Sequence, residues 1–252
     1  TFVFSDKILK DSFEGTSKIR LLNNFLKFNF ELDANQLKIK NSNFRNKDLS
    51  FSFDSSIILN PYLQINSNIN INEIESNLIN IINLDKVFNN MSLLKKLDSK
   101  IKINYTNKSY FPDLIKAHTL DVELINGRLV FSNIVLIGSD TISCKGNSLL
   151  ADEYPRLNFN CNFAIKNKKK FIKKFSISKK ISQDKINFNL DGSLNLLKKK
   201  AKFKKINFEE NYLINKEDVK YFQETFESIL FDDGFFQIFK KKKIKEFILA
   251  II

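Results

Sequence analysis

The feature that most constrains this chain is a two-residue beat of apolar and polar side chains that runs through most of its length. Phe28, Phe30 and Leu32 share one parity, and Lys27, Asn29 and Glu31 take the other. Leu37 and Ile39 follow, then Leu49, Phe51 and Phe53 against Ser50 and Ser52. Leu63, Ile65, Ile69 and Ile71 alternate with Gln64, Asn66, Asn68, Asn70 and Asn72. A period of two is the repeat of a half-buried strand, one face greasy and the other wet. The beat resumes after residue 100 in Ile101, Ile103 and Tyr105, then in Leu120, Val122 and Leu124. It continues in Leu129 and Phe131, Val135 and Ile137, Ile142 and Cys144, and most cleanly from Leu157 to Ile165. Ile186, Phe188 and Leu190, then Leu194 and Leu196, then Ala201, Phe203, Ile206 and Phe208 complete the series.

Turns are expected at polar clusters: Asn41 to Asn43, Arg45 to Asp48, Asn60-Pro61, Asn126-Gly127 and Asp191-Gly192. Asn and Asp supply the positive φ angles that scarce Gly cannot, and Asn126-Gly127 is the strongest hairpin signal. Two stretches depart from the beat. From Glu73 to Ser99, apolar residues recur at helical spacing (Ile74, Leu78, Ile81, Leu84, Val87, Phe88, Met91), which predicts one broken or two short amphipathic helices. From Asn215, a capped helix presents Val219, Phe222, Phe226 and Ile229 on one face and ends at Asp233-Gly234. A basic amphipathic helix is expected to follow to Ile252. The expected organisation is an elongated β domain over residues 1–212, with a helical insertion at about 73–99, and a helical tail over 213–252. The fold class is mainly β: meandering antiparallel strands in one elongated sheet, curled into an open trough.

Composition narrows the function classes. A hydrophobic fraction of 43% with 26 Phe leaves ample material for a buried face, which argues against disorder. The formal charge is +13, but Lys and Asn abound in the manner of an AT-rich coding sequence. Arg occurs only at Arg20, Arg45, Arg128 and Arg156, and a sequence-reading nucleic-acid binder leans on the bidentate Arg fork. Nucleic acid is therefore not an expected partner. Lysine runs at 168–170, 173–174, 198–200, 204–205 and 240–243 either solvate loops or meet an anionic membrane surface.

No catalytic constellation is visible. His118 is the sole histidine, with no nucleophile context, and a surface or strand-end place is expected for it. Asp232-Asp233 and Glu209-Glu210 read as turns. No phosphate loop, dinucleotide fingerprint or metal-ligand spacing occurs, so no enzyme, cofactor or metal is expected. Cys144 and Cys161 both fall at inward parity, which favours buried thiols; a disulfide would require adjacent strands. No apolar run approaches the roughly 18 residues of a membrane span. The opening at Thr1 fits a fragment of a longer chain.

One resemblance is specific enough to name. Its unit runs from the helical stretch Leu84 to Leu97 through the strands Ile101 to Tyr105 and Leu120 to Leu124. It continues in Leu124-Ile125-Asn126-Gly127-Arg128-Leu129, then in Ile142-Ser143-Cys144-Lys145-Gly146-Asn147, and closes with Pro155 through Phe163. The pattern resembles the C-terminal region of AsmA-like proteins, over about residues 20 to 210. It departs from that pattern in being Asn-rich, Gly-poor and helical at its end. The resemblance implies a periplasmic protein, anchored in the inner membrane through a segment outside this chain, whose sheet folds into a groove. It implies non-enzymatic movement of phospholipid in support of outer-membrane assembly, with phospholipid, the membrane surface and other envelope-assembly proteins as partners. The expected groove lining is Phe28, Phe30, Phe51, Phe53, Ile65, Leu124, Phe131, Phe159, Phe163 and Phe188; Val122 is left out because its register is open. The alternative is a structural scaffold of outer-membrane biogenesis with a closed core. An outer-membrane barrel is disfavoured, because Trp is absent and lipid-facing strands need aromatic girdles.

Overall fold

The computed structural model describes residues 2–4, 12–74, 94, 96–106, 115–167, 169, 171, 173, 186–195, 197–198, 200–208, 212–213, 216–228, 242 and 245. Strands dominate it. They are β1 (Phe2–Phe4), β2 (Ser12–Leu21), β3 (Asn24–Asp33), β4 (Gln36–Arg45), β5 (Leu49–Ile58), β6 (Gln64–Ile74) and β7 (Asp98–Thr106). There follow β8 (Ala117–Ile125), β9 (Arg128–Ile137), β10 (Asp140–Leu149), β11 (Arg156–Ile165), β12 (Ile186–Asn195), β13 (Lys200–Phe208) and β14 (Tyr212–Leu213). Among the described residues one continuous helix, α1 (Lys216–Glu227), follows the strands. All fourteen strands lie in a single sheet, in sequence order from β1 to β14, which does not close on itself.

Each neighbouring pair is antiparallel except β6 and β7, which run parallel with Ile65 beside Ser99 and Ile71 beside Tyr105. This corrects the all-antiparallel expectation. A parallel neighbour needs a long return, and the alternating pattern is the same for either direction of pairing. The expected helical insertion lies mostly outside the described residues. At its edges, Glu73 and Ile74 belong to β6 and Asp98 and Ser99 to β7, while Leu94 is helical.

Several tight turns are built by an Asn or Asp side chain in place of glycine. Asp33 Oδ1 accepts from the amides of Asn35 (2.8 Å) and Gln36 (2.7 Å). Asn46 Oδ1 does the same for Asp48 and Leu49, and Asn195 Oδ1 for Leu197 and Lys198. Asn126 and Gly127 hold φ values of 50° and 71° in the expected hairpin turn.

Two expected turns are strand interior. Asn41 to Asn43 lie within β4, where the register with β5 shifts between Ile39 and Phe44. There Asn41 adopts a φ of 51° and donates its amide to Asp54 Oδ1 at 2.9 Å. Ser42 is buried and hydrogen-bonds both the amide and the carbonyl of Phe53. A bulge, not a reversal, absorbs this polar run. Asp191-Gly192 is the centre of β12. Asp191 accepts from Asn160 Nδ2, and a methyl group on Gly192 would sit 2.6 Å from Phe159 Cζ.

That glycine belongs to a row that crosses the sheet. Gly15, Phe30, Ile39, Ser55, Ser67, Ile101, Val122, Phe131, Gly146, Phe159, Gly192 and Phe203 are successive cross-strand partners. Over β9 to β13 the row reads Phe, Gly, Phe, Gly, Phe, with the Phe131 ring lying across Gly146 and the Phe159 ring across Gly192. A methyl group at Gly146 would come 2.6 Å from the Asn158 carbonyl oxygen and nearer still to the Phe131 ring.

Burial is uneven. Among the described residues every fully buried apolar side chain lies at Tyr105 or later. Val135, Ile137, Cys161, Ile165, Phe188, Leu190, Phe203 and Ile206 form one core with Phe222 of α1. Phe203 meets Phe222 at 5.5 Å and Phe226 at 5.3 Å between ring centroids. Val219, Phe222 and Phe226 thus share the helix face expected of them; Ile229 and the basic helix beyond it lie outside the described residues, apart from Lys242 and Lys245. Glu227 fixes the helix end to β13, accepting from the Ala201 amide (2.7 Å) and from Lys200 Nζ (2.8 Å).

Cys144 and Cys161 face each other on β10 and β11 with a Cα separation of 4.1 Å and form a disulfide, which corrects the expectation of buried thiols. Two cysteines at inward parity had no stated neighbour in the sequence; the register supplies one. The bond closes a loop with a sequence separation of 17. Replacing both cysteines by alanine is expected to lower unfolding stability by about 3 kcal/mol in urea titration, the chain-entropy value for a loop of that size. Gly146→Ala is expected to cost about 2 kcal/mol in the same measurement, through overpacking beneath Phe131.

Candidate functional site

Cross-strand partners project from the same face of a sheet, so the register assigns every strand residue to one side. Phe28, Phe30, Phe51, Phe53, Ile65, Leu124, Phe131, Phe159, Phe163 and Phe188 all fall on one face. Val122 joins them. The same face takes in residues not assigned to the lining from sequence: Ile69, Ile71, Ile101, Ile103 and Leu120. Their parity relative to Ile65 and Leu124 was the available signal. Where parity breaks along the chain, a register shift restores it, as between Ile39 and Phe44, beside Phe51 and beside Gly192. The last of these lets Phe203 and Ile206, odd and even, face the same way, with Lys204 and Lys205 both exposed.

The face divides into an open and a covered part. On β3, β5 and β6 the side chains of Phe28, Phe30, Phe51, Phe53 and Ile65 are only half-buried. Phe44 stacks on Phe51 at 4.9 Å, and Phe51 neighbours Phe53 at 5.9 Å. At the far end Phe188 is buried and Phe159 and Phe163 pack against its core, while Leu124 is buried with Leu150 in a second cluster. These four touch protein, not an open surface.

The opposite face is mostly polar, although Val130 and Ile134 of β9 stand exposed on it. Ion pairs join cross-strand neighbours: Glu31 with Lys40 at 2.6 Å, Lys100 with Glu123 at 2.9 Å, Lys102 with Asp121 at 3.8 Å. The hydrogen bond and charge of Lys40 hold the Glu31 carboxyl below its ordinary value. Asparagines bridge the strands, with Asn104 Nδ2 donating to Asn68 Oδ1 (3.0 Å) and Asn70 Oδ1 (3.1 Å).

His118 occupies the second position of β8, the strand-end place expected, but it faces the apolar side rather than solvent. It lies opposite Tyr105 and Val135, and its Nε2 bonds Asn133 Oδ1 at 2.5 Å. Burial lowers its pKa below 6.5, against the smaller opposing effect of Asn133. Among the described residues no group of His, Cys, Asp and Glu has the makings of a metal site. Asp232-Asp233 and Glu209-Glu210 lie outside the described residues. No described helix is long and apolar enough to cross a membrane. The chain matches no family model, no curated protein and no solved structure.

Because its folded pKa is depressed, His118 stays neutral in the folded chain while the unfolded chain takes up a proton below about pH 6.5. Its contribution to stability is present above that pH and is lost as pH falls toward the folded value. Thermal melts from pH 7.5 to pH 5 should therefore show a declining Tm in the native chain, and a shallower decline in His118→Gln.

Proposed function

We propose that the chain is a non-enzymatic, AsmA-like segment of a bacterial cell envelope that binds and conducts phospholipid along its apolar face. The sheet curls about that face into a groove, the polar face turned outward to the periplasm, with the membrane surface and other envelope-assembly proteins as partners. The observation that carries this reading is the run of half-exposed Phe28, Phe30, Phe51, Phe53 and Ile65 on one continuous face. A soluble protein gains nothing from leaving such a surface partly wet. A phospholipid in transit must keep about 30 methylenes out of water, each worth about 0.8 kcal/mol. A row of aromatic and aliphatic side chains that continues from strand to strand offsets that cost at every point, so acyl chains slide without a discrete pocket.

Two further features support the reading. The Cys144–Cys161 disulfide fits an oxidising compartment such as the periplasm. The sheet is open and ordered in sequence, so its width grows with strand number, about 4.8 Å for each. The competing reading, a scaffold with a closed core, is favoured by one observation: α1 seals the end of the face over Phe159, Phe188 and Phe203. The conduit reading assigns α1 the role of an end cap.

Purified protein should co-extract phospholipid. Phe30→Arg and Phe51→Arg, placed where the face is half-exposed, should remove most of that lipid while leaving the melting temperature within a few degrees. Phe188→Arg, in the sealed core, should unfold the C-terminal half instead. Lipid retained in full by the folded Phe30→Arg and Phe51→Arg proteins would rule out the conduit and leave the scaffold.

A further inference from the structure

The hairpin that joins β2 to β3 ends in Leu22-Asn23, and Leu22 holds a φ of 53°. A two-residue turn with positive φ at its first position normally carries Gly or Asn there, because a bulky side chain crowds the backbone in that region. The chain follows that rule at Asn126-Gly127 and breaks it here. Leu22 is also 86% exposed, Leu21 beside it 67%, and Ile19 and Phe25 each 41%. Neither the turn geometry nor the core gives this leucine a use. It occupies a place that asks for glycine and leaves its side chain in water.

The charges around the tip are as unusual as its leucines. Arg20, Phe25 and Arg45 form one cross-strand row on the polar face, and Lys27 stands in the next. Asn46 Nδ2 donates to Asn24 Oδ1 at 3.1 Å, tying the β4–β5 turn with its Lys47 to the hairpin. Arg20, Lys27, Arg45 and Lys47 are all exposed, and none has an ion-pair partner among the described residues. Farther along the same face, lysines stand opposite carboxylates. At this corner Asp48 lies in the β4–β5 turn and Glu73 stands two strands beyond Arg45 in the same row, so among the described residues the cations outnumber the acids and gather against their mutual repulsion.

We propose that this corner docks the protein onto an anionic lipid bilayer, Leu21 and Leu22 entering the hydrocarbon and the four cations meeting lipid phosphates. A soluble polyanion would use the cations but leave the leucines in water. A bilayer uses both, since basic side chains with apolar stems settle at the headgroups above a greasy tip. The docking is tested apart from the conduit reading, because Leu22 stands in the turn beyond the paired rows, while Leu21 is the last residue of the apolar face at that edge.

The chain has no tryptophan, so Leu22→Trp places a single reporter at the tip. Its emission should shift to the blue on vesicles of phosphatidylcholine mixed with phosphatidylglycerol, and be quenched by lipids brominated along the acyl chain. It should not shift with heparin or duplex DNA. Leu22→Asn, which suits the turn better, should keep or raise the melting temperature while weakening binding to the anionic vesicles about tenfold. Arg45→Gln with Lys47→Gln should weaken binding and flatten its salt dependence. Phospholipid co-extracted by the apolar face should be unchanged in Leu22→Asn, which separates this docking from lipid carriage. A reporter that stays in water on vesicles, or vesicle binding unaltered in Leu22→Asn, would overturn the proposal. Equal retention on heparin without vesicle binding would reassign the corner to a soluble polyanion.

Discussion

The structure depends on one constraint: cross-strand pairing fixes the face of every side chain relative to its neighbours on both sides. A one-residue slip in any strand would turn its phenylalanines to water and its lysines and asparagines inward. The row from Gly15 to Phe203 shows the constraint obeyed over a dozen strands. It is kept not by uniform strands but by bulges placed where the chain's own parity changes. A bulge consumes one residue and returns the apolar set to its side. The unpaired polar groups this leaves are met locally, as when Ser42 bonds both backbone groups of Phe53.

The uneven burial follows from what lies over the face. Beneath α1, aromatic rings meet edge to face around Phe203, and glycines at Gly146 and Gly192 let neighbouring rings lie flat across the backbone. Over β3 to β6, the same kind of side chain stays half-wet. One apolar pattern thus serves as a packed core at one end and as a surface at the other. The difference is made by what packs over the face: α1, with Val219, Phe222 and Phe226 spaced to fit it, joined by Ile115 and Phe171, and Leu150 over Leu124.

Much of this was legible from alternation alone. The strands from Phe28 to Phe53 and from Leu157 to Ile165, the Asn126-Gly127 hairpin and the helix beginning near Asn215 stand where the pattern puts them. The proposed lining residues proved to share a side because parity carries across strands once the turns are known. What failed did so for identifiable reasons. Asn41-Ser42-Asn43 and Asp191-Gly192 have the composition of turns, but a bulge and an overlying ring account for them as well. The parallel pair left no mark, because a strand's side-chain pattern does not record the direction of its neighbour. The disulfide was hidden for the same reason: it depends on which strands adjoin. Covered and open stretches of the face read alike, since Phe188 and Phe30 sit in equally regular alternation.

The parallel step at β6 and β7 divides the sheet into two meanders. Within each meander, many neighbours are joined by turns of a few residues, so pairing needs only short-range search. The step itself joins Gln64–Ile74 to Asp98–Thr106, and a parallel neighbour pairs only after the chain has returned to the end from which the first strand began. A long connection also separates β11 from β12, but among the described strands only β6 and β7 pair in parallel. On topological grounds the molecule is therefore two antiparallel panels, β1–β6 and β7–β14, and the parallel seam between them makes one unbroken surface.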